Sequence, residues 1–411
     1  MNPDSCAVSL IVPTLNEACN IERLIERCYQ ALSRVTDRFE VIVVDDDSPD
    51  ETYRIAAALI PRYPGLSVIR RQKPRDLAGS VVDGWAVAKG DLLAVIDGDL
   101  QHPPEKLTTM IQAAAATGAD ITVASRHVRG GGVSEWSLLR RIVSWGACLI
   151  ASFLLPGILN TVRDPMSGFF VIRRRLLDSL RLKPRGYKIL LEILARADYS
   201  TVVEVPYTFE ERKEGASKLG PGQALNYLLH VAALSWDTGE FLRVAKYMVV
   251  GILGLLVNAG LSWWLLHRAR APLLAALAIG FEAAVLHNYV LNEIWTFRDV
   301  VSKCRELEPA TVRAKAFQVI SLLGLLANLA AVAALRFGLR APDYLAVTAG
   351  AVVGGLSNFF FNTHVTWSLW YGEDVALDGG HVQKRRRVSD VLERVYARRL
   401  PSVRLADSLL K

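Results

Sequence analysis

Four apolar runs restrict this 411-residue chain more than any other feature: Met248–Leu266, Ala271–Leu291, Ala316–Leu335 and Tyr344–Trp367. Each is close to the roughly 20 residues that an α-helix needs to cross a bilayer. Hydrocarbon offers no partner for backbone N–H and C=O groups, so a segment of this kind folds as a helix that satisfies its own backbone. The first, third and fourth runs contain no Asp, Glu, Lys or Arg, while the second carries Glu282. Trp263, Trp264, Trp295 and Trp367 lie near the run ends, where interfacial aromatics sit. Hydrophobic residues make up 51% of the chain, and the excess is concentrated here; residues 1–240 read as ordinary globular sequence.

The four runs are two copies of one hairpin. Gly254, Asn258, Asn288, Asn292 and Thr296 recur 70 positions later as Gly324, Asn328, Asn358, Asn362 and Thr366. A repeat unit with an even number of spans keeps its orientation, so the copies run parallel. The loop between them carries Arg298, Lys303, Arg305, Arg313 and Lys315, and the C-terminal segment carries Lys384 to Arg387, Arg398 and Arg399. The opposite loops hold Arg268 and Arg270 in one hairpin, and Arg336 and Arg340 in the other. The excess of cations on one side places residues 1–240, the middle loop and both termini in the cytoplasm. The first residues show no basic-then-apolar leader, in keeping with that placement. The organisation expected is therefore an α/β domain over 1–220, an interfacial helix or linker over 221–240, a four-helix membrane domain over 241–371 and a basic tail over 372–411. The apolar stretch Ile142–Leu159, behind Arg140 and Arg141, reads as a second interfacial helix. As a fifth span it would carry the polar motifs after Asp164 to the wrong side.

Before the membrane block, strand and helix signals alternate. Val8–Pro13, Phe39–Val44, Ser67–Arg70 and Asp91–Ile96 are short β-branched or apolar strands, with helical stretches from about Asn20, up to about Leu59 and over about Ala78–Ala88. That alternation predicts a mostly parallel sheet with helices on both faces. Ligands of such sheets gather at the carboxyl ends of the strands. Three polar clusters fall there: Pro13-Thr14-Leu15-Asn16-Glu17, Asp45-Asp46-Asp47 and Asp97-Gly98-Asp99. The net charge of +7 suits phosphate handling or an anionic membrane surface, and with no nucleic-acid motif no such partner is expected. Five scattered cysteines form no metal-spaced cluster, which suits a reducing compartment.

Asp97 and Asp99, at i and i+2 on a turn after a buried strand, are placed to share a hard divalent cation through oxygen; the plainer reading is a solvated acidic turn. Such a cation would neutralise a diphosphate leaving group. His102 reads as a turn residue, not a base. Glu282 and the asparagines of the spans read as interhelical packing groups, with a path for a lipid-linked sugar as the alternative.

The segments PTLNE, VVDDDSPD, DGDLQHPPE, SRHVRGG, DPMSGFF, GYKILLEI and EVPYTFEERKEGASKL, in this order, resemble the dolichyl-phosphate mannose synthases. These are inverting family-two glycosyltransferases with a GT-A (Rossmann-like) fold. The resemblance is dense over residues 8–220, and the rest is similar to the four-helix membrane domain of microbial members. It implies transfer of mannose from GDP-mannose to dolichyl or polyprenyl phosphate with Mg²⁺ or Mn²⁺. Pro13, Leu15, Glu17 and Asp46 would line the nucleoside pocket, and Asp97, Asp99 and Gln101 would hold the metal and diphosphate. Arg126, Arg140 and Ser144 would hold the acceptor or donor phosphates, and Arg212 and Lys218 would close over the donor. Leu15 stands where the family commonly has a tyrosine, and Asp76-Leu77-Ala78-Gly79 departs from the usual glycine-leucine start of that segment. A lipid phosphate is already anionic near neutral pH, so its attack requires no protein base, and in-line attack gives a β-linked product.

Three other readings compete. A processive polysaccharide synthase would carry Gln-x-x-Arg-Trp, which does not occur. A translocase with a vestigial transferase domain would be expected to have lost the aspartate pair. A glucosyl- or aminosugar-transferase using a UDP-sugar shares most motifs; GDP-mannose is favoured because the similarity runs through GYKILLEI and the whole membrane region.

Overall fold

The computed structural model describes residues 7–133, 146–147, 149–156, 162–178, 180, 182–183, 188–210, 221–304, 309–367, 373–378 and 381–384. Two compact units emerge, Met1–Leu234 with Trp370–Arg385, and Ser235–Leu369 with Arg386–Lys411.

In the first unit, β1 (Val8–Thr14), β2 (Phe39–Asp45), β3 (Leu66–Arg70) and β4 (Leu92–Val95) alternate with α1 (Ile21–Leu32), α2 (Thr52–Ala58) and α3 (Leu77–Val87). After α4 (Lys106–Thr117) come β5 (Ile121–Ser125), β6 (Gly132–Val133), β7 (Phe170–Arg173), α5 (Arg175–Asp178), α6 (Ile189–Arg196), β8 (Thr201–Pro206), β9 (Thr208–Phe209) and α7 (Pro221–Asp237). Two late strands, β10 (Glu373–Asp378) and β11 (His381–Lys384), complete a nine-stranded sheet in the order β11-β10-β8-β5-β7-β4-β1-β2-β3. Successive side chains of a strand point to opposite faces, and here both faces are covered. Leu10, Val12, Val41 and Val43 enter the core beneath α1 and α4. Ile11, Ile42 and Val44 enter the other, with Val81 and Trp85 of α3 and Leu190 and Leu194 of α6. Each fully buried aliphatic side chain contributes about 1.5–3 kcal/mol.

The sheet is parallel as expected except at β7, which runs antiparallel between β4 and β5, and at the β10–β11 hairpin. Reversal makes β7 start at the end of the sheet where β4 and β5 finish, so the residues preceding β7 arrive at the carboxyl edge. The sequence held no strand signal over 373–384, where short alternating apolar residues are diluted by charge.

In the second unit α8 (Glu240–His267), α9 (Leu273–Leu291), α11 (Ala310–Ala333) and α12 (Asp343–Phe361) are the four expected membrane helices, with α10 (Arg298–Cys304) between the hairpins. The spans begin or end beyond the apolar runs. α8 starts at Glu240 and not near Met248, because its first two turns carry charge, and α9 and α12 continue through π-helical turns at Asn292–Thr296 and Asn362–Thr366. Each π turn closes with a backbone bond at the same register, Phe297 N to Asn292 O (2.8 Å) and Trp367 N to Asn362 O (2.9 Å). The turns within the two hairpins also match: Arg270 and Arg340 both take a left-handed backbone with φ of 53°.

Repeat mates meet face to face. The rings of Phe297 and Trp367, 70 positions apart, stack at 4.2 Å and 9°, and the Tyr247–Phe359 contact at 5.2 Å is mirrored by Phe317–Tyr289 at 5.8 Å. This exchange is what a two-fold relation between parallel hairpins produces. It also corrects one expectation: Trp367 is 2% exposed, with its indole N–H donating to Glu293 Oε2 at 2.8 Å, and is no interfacial anchor. Trp263, Trp264 and Trp295 are exposed. The asparagines of the spans are packing groups. A Cβ on Gly254 would overlap Asn288, and one on Gly324 would overlap Asn358. Asn362 Nδ2 donates to Tyr247 Oη at 3.1 Å, and Glu282 accepts from Gln318 Nε2 at 2.6 Å.

Candidate active site

Three neighbouring parallel strands, β4, β1 and β2, end side by side, and a left-handed residue follows each: Leu100, Asn16 and Asp47. A positive φ turns the chain sharply after the strand, which curls each polar turn back over the sheet edge. Backbone and hydroxyl bonds then lock the β1 and β2 turns together. Asp46 N donates to Thr14 O at 2.9 Å. Thr14 Oγ1 donates to the buried Asp45 Oδ2 at 2.9 Å, Asn16 N donates to Ser48 Oγ at 2.9 Å, and Glu17 N donates to Thr52 Oγ1 at 3.0 Å. Gly98 seats the β4 turn against them, since a Cβ there would stand 3.1 Å from Thr14 Cγ2 and 3.3 Å from Glu17 Cγ. Pro13, Glu17, Asp46 and the Asp97–Gln101 turn are thereby brought to one edge.

Within that edge the predicted residues differ in what they have left to offer. Pro13 is buried and Leu15 half-buried. Glu17 is buried and accepts from Asn20 Nδ2 at 2.8 Å. Both oxygens of Asp46 are engaged, by Arg71 Nη1 at 2.7 Å and by Asp76 N at 2.6 Å. Arg71 also donates to Asp83 at 2.9 Å, so Asp46 serves to hold the segment that starts α3. The departure at Asp76–Gly79 has a local use, because Asp76 caps α3 by accepting from Gly79 N at 3.1 Å. Burial raises the Asp76 carboxyl above its ordinary range.

Asp97 and Asp99 are half-buried. Asp99 Oδ1 accepts from Gln101 N at 3.2 Å. Gln101 Nε2 donates to Glu210 O at 3.1 Å, and Glu210 N returns a bond to Gln101 O at 2.9 Å. Asp97 has two neighbours whose contact with it the sequence did not reveal, His102 and Gly168. Its Oδ2 lies 3.3 Å from Nε2 of His102, which is buried and ringed by Phe169, Tyr207 and Phe209 at 5.2–5.6 Å. Its carboxylate also packs so closely on Gly168 that any Cβ there would overlap it. Gly168 belongs to the DPMSG stretch, and the antiparallel start of β7 delivers it; the glycine itself was the available signal.

Arg126, after β5, is held by Asp164. Nε and Nη2 donate to Oδ2 and Oδ1, each at 2.7 Å, and Arg126 N donates to Oδ2 at 2.9 Å. Asp164 is 1% exposed. Burial alone would raise its carboxyl, but the hydrogen bonds and charge of Arg126 outweigh that and hold it below the ordinary range. The guanidinium lies 5.3 Å over the Phe209 ring. Arg140, Ser144, Arg212 and Lys218 lie outside the described residues.

The Asp97–Asp99 turn offers hard carboxylate oxygens suited to a divalent cation. No group of three or more His, Cys, Asp or Glu side chains placed to hold a metal occurs among the described residues. A cation bound here would complete its shell with phosphate oxygens and water, as Mg²⁺ ordinarily does.

Residues 9–181 match the family described as glycosyl transferase family 2, and residues 246–367 match the GtrA/DPMS transmembrane domain. The dolichol-phosphate mannosyltransferase of Pyrococcus furiosus is 39% identical over 361 residues, covering 88% of this chain and 99% of its own length. The Saccharomyces cerevisiae dolichol-phosphate mannosyltransferase is 32% identical over 240 residues, covering 56% of this chain and 87% of its own. The polyprenol monophosphomannose synthase of Mycolicibacterium smegmatis is 33% identical, covering 54% of this chain and 84% of its own.

Proposed function

The chain belongs to the dolichol-phosphate mannosyltransferase family of glycosyltransferases, and we propose that it transfers mannose from GDP-mannose to dolichyl or polyprenyl phosphate at the cytoplasmic membrane face, with inversion to a β-linked product. The observation that carries this reading is the Asp97–Asp99 turn at the end of β4, packed against the Thr14–Glu17 turn and backed by Gly168. Asp97, Asp99 and the amide oxygen of Gln101 would hold Mg²⁺ or Mn²⁺. When bound, that cation neutralises the charge gathering on the departing nucleoside diphosphate.

The protein's own groups do the positioning. His102 fixes the carboxylate of Asp97, and the Gln101–Glu210 bonds tie the metal turn to Glu210, two residues before Arg212. Arg126, pinned by Asp164, would bring its positive charge to a phosphate, with Arg140 and Ser144 as further acceptor-phosphate groups. The acceptor phosphate attacks as an anion, so orientation and charge neutralisation suffice. The lipid fixes where this happens, because drawing a prenyl chain into water costs about 0.8 kcal/mol per methylene. Two helices support a surface placement. α7 buries Tyr227, Val231 and Leu234 while exposing Leu225, Leu228 and Leu229, and the stretch 149–156 buries Ala151 and Leu155 while exposing Leu149 and Ile150. Such two-faced helices lie on a bilayer.

The test is transfer by the full-length protein to a polyprenyl phosphate with Mg²⁺, run in parallel with GDP-mannose, UDP-glucose and UDP-N-acetylglucosamine. Mannose transfer giving a β-linked product is expected. A faster reaction with either UDP-sugar overturns the donor, and an α-linked product overturns direct displacement.

A further inference from the structure

The first membrane hairpin contains a cleft of about 640 Å³, formed by the first turns of α8, the π turn at Asn292–Thr296 and the start of α10. Its floor is Arg243, whose side chain is 9% exposed and fully committed. Nε donates to Glu240 Oε2 at 3.0 Å, Nη1 and Nη2 donate to Asp299 at 3.0 and 2.9 Å, and Nη1 also donates to Thr296 O at 3.2 Å. Burial would raise the Asp299 carboxyl, but the hydrogen bonds and charge of Arg243 lower it below the ordinary range. Arg243 thus braces the cleft and has no charge to spare.

Two further cations line the same space. Lys246 is half-buried, with Nζ 5.7 Å from the centre of the Trp295 ring, and Arg298 is exposed. Neither makes an ion pair among the described residues. Beside them Leu242, Ile294 and Trp295 are exposed, apolar and at the end of membrane-spanning helices. Spare positive charge beside an apolar track fits a ligand with an anionic head and a hydrocarbon tail.

The duplicated hairpin supplies an internal control. Seventy positions on, Arg243 is matched by Arg313, which is likewise buried and paired, with Glu293. Lys246, however, becomes Ala316, Trp295 becomes Val365 and Arg298 becomes Ser368. The second hairpin forms the same paired helices and the same π turn without those three side chains. They are therefore additions that the hairpin fold does not need.

We infer that this cleft seats the phosphate head of a membrane lipid, with Lys246 and Arg298 on the phosphate oxygens and the lipid chain along Leu242, Ile294 and Trp295. The site rests on the second unit alone and stands whatever the sugar donor is. The phosphate belongs either to a polyprenyl phosphate or to a bulk anionic phospholipid, which share the recognised chemistry.

The test uses the full-length protein in phosphatidylcholine nanodiscs, with lipid retention read by native mass spectrometry. Undecaprenyl phosphate, phosphatidylglycerol and inorganic phosphate are supplied separately. The main variant is K246A/R298S, which installs the residues of the second hairpin; K246R/R298K keeps both charges. Wild type and K246R/R298K are expected to retain a phosphate-bearing lipid, and K246A/R298S to bind it about tenfold or more weakly with an unchanged Tm. Retention of undecaprenyl phosphate alone assigns the site to the reaction's own class of lipid, and retention of both lipids assigns it to the anionic bilayer; either upholds the site. Equal binding by K246A/R298S overturns it, as does inorganic phosphate binding as tightly as the lipids. Because the readout is binding, failure of the mannosyl-transfer reading leaves this result interpretable.

Discussion

Asp97 owes its position to two residues that touch it, His102 five residues on and Gly168 in the stretch before β7. In the proposed role of metal ligand, a carboxylate held this way loses function when its charge is removed, even if its shape is kept. Asp97→Asn and Asp99→Asn are each expected to lower transfer by about a hundredfold or more at unchanged Tm. Native-like rates in folded, membrane-inserted variants would remove the basis of the proposed chemistry. Asp164 carries a different kind of load. It answers Arg126 with both oxygens from a site that water does not reach. Asp164→Ala leaves a buried guanidinium without its counter-charge and is expected to cost about 3–5 kcal/mol, read as a shift in the denaturant midpoint of the first unit. A loss under about 1 kcal/mol would mean that Arg126 reaches solvent or another partner.

Helix pairing inside each hairpin depends on a glycine meeting an asparagine, Gly254 with Asn288 and Gly324 with Asn358. In a membrane, close backbone approach and packing replace the hydrophobic effect as the source of association. Gly254→Ala and Gly324→Ala should each destabilise the four-helix unit by about 1–3 kcal/mol, measured by thermal unfolding in detergent. Gly355→Ala should be silent, since no atom lies within 4 Å of its missing Cβ. Equal effects at all three positions would show that helix propensity, not contact, is being measured. The 70-residue spacing was plain from sequence because polar residues stand out against apolar runs. That Phe297 and Trp367 stack on each other was not, because nothing in either copy says which residues face the axis between them.

At the scale of the whole molecule, Asp83, Glu105, Asp120 and Asp164 all sit below the ordinary carboxylate range. In Asp83, Asp120 and Asp164 burial opposes the shift and cationic partners outweigh it; in Glu105 the hydrogen bond from Arg27 leads. A depressed folded value means that the unfolded chain binds protons first. This stabilisation is therefore complete above about pH 5 and is lost as the pH falls through the carboxylate range near 4 and below. Chemical unfolding followed from pH 7 to pH 3 should show this decline, with a shallower slope for Asp164→Asn. An identical slope would assign the acid sensitivity to other groups.

The sequence by itself determined the first four strands, the four membrane helices and the sheet edge at which the polar turns gather. Short β-branched runs and long apolar runs are local properties, and polar turns after β1, β2 and β4 fall at the carboxyl edge of any parallel sheet built from those strands. Glu17, Asp46, Asp97 and Asp99 fall in those turns and were expected there; in the structure both oxygens of Asp46 are taken by Arg71 and Asp76. Only the tertiary structure decided that β7 reverses between β4 and β5, that Gly168 and His102 frame Asp97, that Asp164 claims Arg126, and that residues 373–384 close the edge beside β8. Apart from the His102–Asp97 contact, five residues apart, each is a contact between segments tens to hundreds of residues apart. Their geometry is fixed by packing and by the pairing of buried charge, and neither leaves a periodic trace in the chain.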